Sequence, residues 1–315
     1  MGRYLVKRII LAIPVLIGVT VAVFVIIRLI PGTAVDLRIE SANVTQEQRQ
    51  ALKKELGVDK PVAVQYLIWV GALARGDLGN SLRSQRPVAD RIKTSVPVSV
   101  EIAILATIVT IVIAIPAGVM SAVRQDTFLD YALRLFTIGA LSIPGFWLAT
   151  LFLLIASKQF GWAPPAGYVP LLEDPGKNVQ QFPPPALILG VGLSSIIARM
   201  IRSQMLEVLR QDFVQTARAK GLRGRSVVYR HALPNAIIPV LTLLGAQFGF
   251  LIGSTVVIES IFGLPGVGRL TLDGIVDRDY PLLQAVVLFI AVTLLTINIV
   301  VDVAYAWIDP RIRYE

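Results

Sequence analysis

The sequence has no cysteine, and its one histidine is His231. The lack of cysteine excludes disulfides, thiol catalysis and zinc–thiolate sites, and a lone histidine excludes a metal cluster of several imidazoles. Charged side chains are also scarce, at 16% of the 315 residues, whereas an average soluble domain carries about 25%. Hydrophobic residues make up 55% of the chain. This composition indicates a protein that lies in a lipid bilayer.

The charges that are present are mostly positive, and the formal net charge is +9. A basic surplus can indicate nucleic-acid binding, but here the Lys and Arg residues lie between apolar runs. That placement favours a role in membrane orientation. We therefore expect membrane lipid as a partner and no nucleic acid.

Six apolar runs are long enough, or nearly so, to cross a bilayer, which takes about 20 helical residues. They are residues 9–30, 98–120, 135–156, 186–200, 237–258 and 282–307. The sequence thus predicts an all-α, polytopic membrane protein of six transmembrane helices. The fourth run is the shortest, and we expect it to continue as a polar helix over residues 199–210. Prolines at Pro14, Pro116 and Pro144 lie inside runs and predict kinks.

The first run is longer than the roughly 7–15 apolar residues of a secretory signal, so we expect it to be a retained span. The division that follows has three parts. Residues 1–30 hold an N-terminal stub and span 1, residues 31–97 form an external segment with short interfacial helices, and residues 98–315 form the core with spans 2–6.

Two helices are expected in the external segment. Thr45 with Gln48 resembles a capping box that opens the first. The second, at residues 62–74, is apolar but rises only about 20 Å, too little to span. It contains Tyr66 and Trp69, which predicts a helix lying in the outer membrane interface. The alternative is a seventh span, which would reverse every later loop.

Positive charge is concentrated in one short loop, residues 199–235, which carries seven Arg and one Lys. Because cytoplasmic loops are enriched in Lys and Arg, this predicts that the loop and both termini are cytoplasmic.

The same loop has a patterned interior. Ala217, Ala219 and Gly221 are small residues flanked by cations, so another surface could approach the backbone closely. If residues 215–220 form a short helix, Gly221 falls where the chain must turn, and Gly reaches positive φ without steric cost. The alternative is a plain basic loop that binds nothing.

This segment resembles the EAA loop of permease subunits in ATP-binding-cassette (ABC) importers. In that pattern Glu-Ala-Ala is followed after three residues by Gly, and nine residues later by Ile-x-Leu-Pro. Here Gln215-Thr216-Ala217, Gly221 and His231-Ala232-Leu233-Pro234 keep the spacing, with Gln215, Thr216 and His231 departing from the family residues. The resemblance implies that the loop contacts an ATPase through Asp212, Gln215, Ala217, Arg218, Lys220, Gly221, Leu233 and Pro234.

Further stretches resemble signatures of the dipeptide/oligopeptide/nickel branch of these permeases, and of its B-type subunit. They are GDLGNS at residues 76–81, ESIFGLPGVG at 259–268, RDYP at 278–281 and DPRIR at 309–313. The resemblance implies the type I importer permease fold, with a long external segment between spans 1 and 2. It also implies import of di- or oligopeptides by alternating access, with nickel chelates, glutathione or other small solutes as alternatives.

The resemblance implies partners too. These are a homologous second permease of the C type, two ABC ATPases and an external solute-binding protein, assembled at the inner membrane of a prokaryote. The Gly-rich stretch at residues 263–270 is not a phosphate loop, because Arg269 and Leu270 stand where Lys and a hydroxyl residue are required. We predict a turn-rich external loop there. We expect no cofactor on this chain, and ATP with magnesium on the partner ATPases.

Three further features could serve transport. Gly245, Gly249 and Gly253 form a flat stripe on the fifth span, which indicates helix packing or, alternatively, a gating interface. Glu101, near the outer end of the second span, could line the pathway or could be a paired interfacial carboxylate. Asn298 and Asp302 share one face of the sixth span, for substrate or for structure.

Two rival classes stay open at this point. An ion-coupled secondary transporter would need charged residues deep in its spans, whereas Arg28, Glu101 and Asp302 all lie toward span ends. A membrane enzyme would need a catalytic constellation. None can be assigned around His231, so we expect no catalytic residue.

Overall fold

The computed structural model describes residues 2–29 and 59–308, and within these ranges the secondary structure is helical, with one isolated β-bridge between Asn80 and Pro87. The helices are α1 (Gly2–Leu29), α2 (Val62–Leu73), α3 (Val88–Val123), α4 (Phe128–Ser142), α5 (Gly145–Phe160), α6 (Pro175–Gln181), α7 (Pro183–Val208), α8 (Asp212–Ala219), α9 (Gly224–Ala236), α10 (Ile238–Ser254), α11 (Val256–Ile261), α12 (Val267–Val276) and α13 (Tyr280–Ile308). The predicted all-α class is confirmed.

Six membrane crossings fit the described residues. Helices α1, α3, α7 and α13 are each long and apolar enough to span a bilayer. Two bent pairs, α4 with α5 and α9 with α10, meet the same condition when each pair is taken together. Counting each pair as one span gives six, in agreement with the sequence-based number.

The third span is broken rather than kinked, which corrects the prediction of one helix over residues 135–156. Helices α4 and α5 meet at 88°. Pro144 has no N–H to continue the helix and disfavours the helical conformation of Ile143, whose φ and ψ are −90° and 121°. Proline does not break the other spans in this way, since Pro14 and Pro116 lie within the continuous helices α1 and α3.

The fifth span also differs from its predicted range of 237–258. Helix α10 ends at Ser254, α11 follows from Val256, and α9 precedes α10 at an angle of 55°. In the second span, α3 begins at Val88, inside the segment predicted to be external. The fourth span continues to Val208, so its predicted polar extension is confirmed.

The stretch at residues 263–270 is only partly a turn, which corrects the predicted turn-rich loop. Gly263 has a positive φ of 68°, but helix α12 starts at Val267. The predicted cap at Thr45 and the tail at residues 309–313 lie outside the described residues.

The chain divides into two compact units, and the first comprises Met1–Pro97 with Gly266–Leu295. In this unit α2 packs on α1. The Phe24 and Trp69 rings stack with centroids 5.8 Å apart, and Tyr66 Oη lies 3.0 Å from Thr20 Oγ1. The helix predicted at residues 62–74 is confirmed, and its 12 residues are too few for a seventh span. Its aromatic rings contact α1, and its interfacial position stays a prediction.

Two of the sequence signatures meet in the first unit, at the buried carboxylate of Asp279. Ser81 Oγ donates to Asp279 Oδ2 at 2.5 Å, and the Leu82 N–H donates to Oδ1 at 3.1 Å. Beside them Arg83 pairs with Asp277 at 3.1 Å. The GDLGNS and RDYP segments are therefore joined by polar contacts, and the same unit holds an apolar cluster of Val88, Ile92, Val267, Leu270, Leu282, Ala285 and Val286.

The second unit comprises Val98–Pro265 with Thr296–Glu315. Within it, α3 and α7 touch at two glycines. A Cβ on Gly118 would lie 2.7 Å from the Ala198 carbonyl oxygen, and one on Gly190 would lie 2.6 Å from Val109 Cβ. Because only a hydrogen atom fits at these positions, glycine lets the two backbones approach more closely than a residue with a Cβ would.

Candidate functional site

The region that follows α7 is organised around a short amphipathic helix, α8. Val214 and Ala217 are buried, three residues apart on one face. They belong to an apolar cluster with Met205 and Val208 of α7 and Ala122 of α3. Helix α8 therefore packs on α9 at residues 227–232 and shares one apolar cluster with the ends of two spans, rather than hanging in a loose loop.

The opposite face of α8 is open to solvent. Gln215, Thr216, Arg218, Ala219 and Lys220 are exposed, and Phe213 is 41% exposed despite its apolar ring. Asp212 lies in the first turn and Arg218 in the last, each at the end of the helix dipole that favours its charge. This face can receive a partner without rearrangement of the core beneath it.

Gly221 ends α8 in a Schellman motif. Its φ is +76°, its N–H donates to the Arg218 carbonyl at 2.9 Å, and the Leu222 N–H donates to the Ala217 carbonyl at 3.4 Å. The predicted turn and the predicted positive φ are thus both confirmed. The predicted need for space is not supported within the chain, because a Cβ on Gly221 would meet nothing within 4 Å.

The far end of the motif lies in the irregular helix α9, whose middle, Val227–Ala232, is π-helical. Pro234 follows directly, and since it has no N–H it cannot continue the regular ladder. Asn235, the next residue, donates from Nδ2 to the His231 carbonyl at 2.7 Å. Leu233 packs against the apolar cluster beneath α8, whereas Pro234 is exposed. His231 therefore lies in a wide helical turn, and its backbone carbonyl accepts a hydrogen bond from the Asn235 side chain.

A cavity of about 480 Å³ opens beside α8. Its lining combines the apolar side chains of Val119, Met120, Val123 and Val228 with Arg124, Arg218, Gly224, Arg225 and Tyr229. The exposed surface around it combines cations with the apolar side chains Leu222 and Tyr229, 42% and 49% exposed. Exposed apolar and aromatic side chains mixed with arginines are typical of a protein–protein interface.

The predicted pathway residue Glu101 is engaged in hydrogen bonds. Asn178 Nδ2 donates to its Oε1 at 2.6 Å and Tyr168 Oη donates to its Oε2 at 3.2 Å. Burial, together with the neighbouring Glu101 charge, raises the pKa of the Tyr168 hydroxyl, so it stays a donor at neutral pH. The geometry favours the paired carboxylate over the pathway role, and links the second span to the segment before α7.

The glycine stripe packs on the last helix at one of its three members. A Cβ on Gly245 would lie 2.1 Å from Val301 Cγ2, and Gly249 is buried. This contact supports the packing interpretation at Gly245. Asn298 is exposed and Asp302 half-buried on α13, and Gly253 is half-buried on α10. The site residues are not brought into one cluster: Glu101 is bonded to Tyr168 and Asn178, whereas the apolar cluster beneath α8 extends to Leu244, next to Gly245 of the stripe.

Sequence reasoning missed a buried ion pair near the α8 region. Asp130 is fully buried in the first turn of α4, and Arg202 Nε and Nη2 donate to its two oxygens at 3.0 and 2.9 Å. Ser121 of α3 also donates to this carboxylate, and Arg134 Nη2 lies 3.4 Å from it. The sequence signal for this pair was the position of Asp130 between Arg124 and Arg134, at the ends of two spans.

A second buried acid, Glu259, opens the signature at residues 259–268, and the sequence did not predict its burial. Ser99 Oγ and Thr255 Oγ1 donate to its Oε1 at 2.7 and 2.6 Å. Thr255 occupies the break between α10 and α11, so the side-chain contact stabilises the interruption of the fifth span. In the described part of the chain, no three His, Cys, Asp or Glu side chains are grouped to hold a metal ion.

Spans interrupted by sharp bends, together with a short helix that is buried on one face and exposed on the other, indicate a membrane transport subunit. The comparisons agree with it. Residues 114–314 match the family described as binding-protein-dependent transport system inner membrane component, and residues 1–103 match the N-terminal family of the same components. The chain belongs to this family of importer permeases, and it is a multi-pass component of the inner membrane.

Several relatives match over their whole length. A Brucella abortus protein named as a peptide transport system permease is 40% identical, with 100% of both chains covered. The dipeptide transport system permease protein DppB of Alkalihalophilus pseudofirmus is 38% identical, and the di/tripeptide transport system permease protein DppB of Pseudomonas aeruginosa is 37% identical, again with 100% of both chains covered.

The fold is shared with a chain of the MetNI methionine ABC transporter, solved in inward-facing conformations. The TM-score is 0.57 at 18% identity, and the match covers 70% of this chain and 96% of that one. A second crystal form gives a TM-score of 0.55. The predicted type I importer permease fold is therefore confirmed.

Proposed function

We propose that this chain forms the transmembrane pathway of an ATP-driven importer of di- or oligopeptides. Its full-length similarity to permeases named for peptide, dipeptide and di/tripeptide transport supports this substrate class. Substrate selection would rest mainly with an external solute-binding protein, which delivers the peptide to the permease.

The observation that carries the proposal is the seating of α8. Its buried face, Val214 and Ala217, shares one apolar cluster with α9 and with the ends of α3 and α7, while its outer face carries exposed polar, cationic and aromatic side chains. A helix held in this way transmits a push from a soluble partner directly to the spans. The partner is an ABC ATPase, of which two would serve the complex together with a homologous second permease.

In this proposal ATP and magnesium bind to the ATPases and not to the permease. Closure of the ATPase pair moves α8 and Gly221, and α7 and α3 follow because they share one apolar cluster with α8. The spans then alternate between outward-open and inward-open states, a rigid-body switch around a fixed pathway. The orientation that places α8 in the cytoplasm follows from the arginine-rich loop.

The test is uptake by the assembled transporter in proteoliposomes, supplied with its binding protein and a labelled dipeptide. We expect uptake that requires enclosed ATP on the ATPase side and that persists when ionophores remove ion gradients. Nickel chelates and glutathione serve as competing substrates. Uptake that continues without ATP and collapses with an ion gradient would instead identify a secondary transporter, and exclusive uptake of a chelate would overturn the peptide assignment.

A further inference from the structure

A second cavity, of about 720 Å³, lies between α4 and α7, and it shares no lining residue with the cavity beside α8. It is lined by Arg134, Thr137, Ile138, Arg199, Arg202, Ser203, Leu206, Glu207 and Arg210. The lining therefore contains four arginines and one acid, Glu207. One further acid, Asp130, pairs with two of these arginines behind the cavity wall. The cavity retains a net positive charge.

Two of the four arginines, Arg202 and Arg134, are held in place from behind by Asp130. Arg202 binds Asp130 side-on through Nε and Nη2, so Nη1 takes no part in that pair. Arg134 reaches the same carboxylate through Nη2, and its buried Nε has no hydrogen-bond partner. Guanidinium groups fixed in this way present donors to an anion at little further cost in side-chain entropy. Phosphate oxygens match that donor geometry.

The surroundings of the cavity are apolar on one side. Ile138 and Leu206 belong to its wall, and the neighbouring α4 residues Leu135 and Phe136 are 71% and 46% exposed. In a span, exposed side chains of this kind face acyl chains. A ligand that places a phosphate among the arginines and hydrocarbon along α4 would satisfy both parts of the site.

We propose that this cavity binds the headgroup of an anionic phospholipid. Basic pockets between transmembrane helices bind such headgroups, and anionic lipids are enriched in the cytoplasmic leaflet. The sequence continues from Arg210 directly into α8, so the cavity lies on the side that the arginine-rich loop predicts to be cytoplasmic. The binding itself does not depend on the substrate or on that orientation.

The test titrates phosphatidylglycerol into the assembled transporter in neutral detergent, with phosphatidylcholine of the same chain length as the neutral lipid, and counts bound lipid by native mass spectrometry. The test variant is Arg199→Gln with Arg210→Gln. Both side chains are exposed, and neither pairs with Asp130. The matched control is Arg75→Gln with Arg86→Gln, two exposed arginines that line neither this cavity nor the one beside α8.

We expect phosphatidylglycerol to bind in preference to phosphatidylcholine, and the test variant to weaken that binding about tenfold. The control variant should bind as the original protein does, and both variants should keep its melting temperature. Equal binding of the two lipids, or no effect of the test variant, would overturn the proposal. So would displacement of the lipid by millimolar sn-glycerol 3-phosphate, which identifies a soluble anion site, or lipid binding that appears only after the ATPases are removed, which identifies an ATPase contact.

Discussion

Asp130 and Arg202 form a side-on ion pair, with both carboxylate oxygens bound, 72 residues apart in the sequence. The acid is fully buried, and the Arg202 side chain is 20% exposed. The pair joins the start of α4 to α7, and Ser121 adds the end of α3. Three spans are thereby fixed at the end where α8 is seated.

Breaking this pair should be costly, because removal of one partner leaves an uncompensated buried charge. Arg202→Gln should destabilise the permease by about 3 kcal/mol, measured as loss of folded protein during heating in detergent. Arg199→Gln, a nearby exposed arginine, is the matched control and should have little effect. Asp130→Asn combined with Arg202→Gln should cost less than the sum of the single changes. Strict additivity would show that the two side chains are not coupled.

The two glycines of α7 offer a direct comparison. Gly190→Ala should destabilise the protein by about 1–3 kcal/mol, because its Cβ would lie 2.8 Å from the Ala106 carbonyl oxygen and force α3 and α7 apart. Gly192→Ala, on the same helix with nothing within 4 Å, should be neutral or slightly stabilising. Thermal denaturation of the two variants in the same detergent checks this. Equal melting temperatures would contradict the close contact.

Topology can be tested with single cysteines, since the chain has none of its own. Cysteine at Lys177 should react with an impermeant maleimide in intact cells, and cysteine at Arg223 should react only after lysis. The charge asymmetry of the loops is the reason for this expectation. The reverse pattern of labelling would overturn the assigned orientation, and with it the placement of α8 in the cytoplasm.

The isolated permease should neither bind nor hydrolyse ATP. The Gly-rich stretch at residues 263–270, which runs into the start of α12, lacks the Lys and hydroxyl residues of a phosphate loop, since Arg269 and Leu270 follow its last glycine. Equilibrium dialysis with labelled ATP, with and without the ATPases, measures this. Saturable binding by the permease alone, at an affinity similar to that of the complex, would contradict it.

The sequence predicted the number of spans and the turn at Gly221, because both depend on local properties. Apolar run length sets the first, and the positive φ that glycine tolerates sets the second. It did not predict the 88° break, although Pro144 was identified, because one proline is compatible with a kink or a complete break. Which one occurs depends on the packing around it.

The buried contacts were not predictable in the same way. Asp130 with Arg202, and Ser81 with Asp279, join residues 72 and 198 positions apart. A single sequence carries no record of which distant polar side chains meet. Glu101 shows the same limit: its position on α3 was known, but its bonds to Tyr168 and Asn178 depend on how the segment before α7 folds back.

The central claim, that α8 and its Schellman turn couple the permease to its ATPases, is tested by Gly221→Val. A β-branched residue is penalised at the positive φ of +76° by about 1–2 kcal/mol, so the end of α8 should distort while the spans insert normally. Gly221→Asn, which tolerates this conformation, should retain most function. Gly161→Val is the matched control, because Gly161 ends α5 with a positive φ of 60° and open space around it, so the same backbone penalty applies away from α8.

Three quantities are needed from one preparation of each variant: permease abundance in the membrane, ATPase retained on purification, and ATP-driven peptide uptake. We predict normal abundance with sharply reduced ATPase retention and uptake for Gly221→Val, and values close to the original protein for Gly161→Val. Normal uptake by Gly221→Val with its ATPases attached would contradict the account.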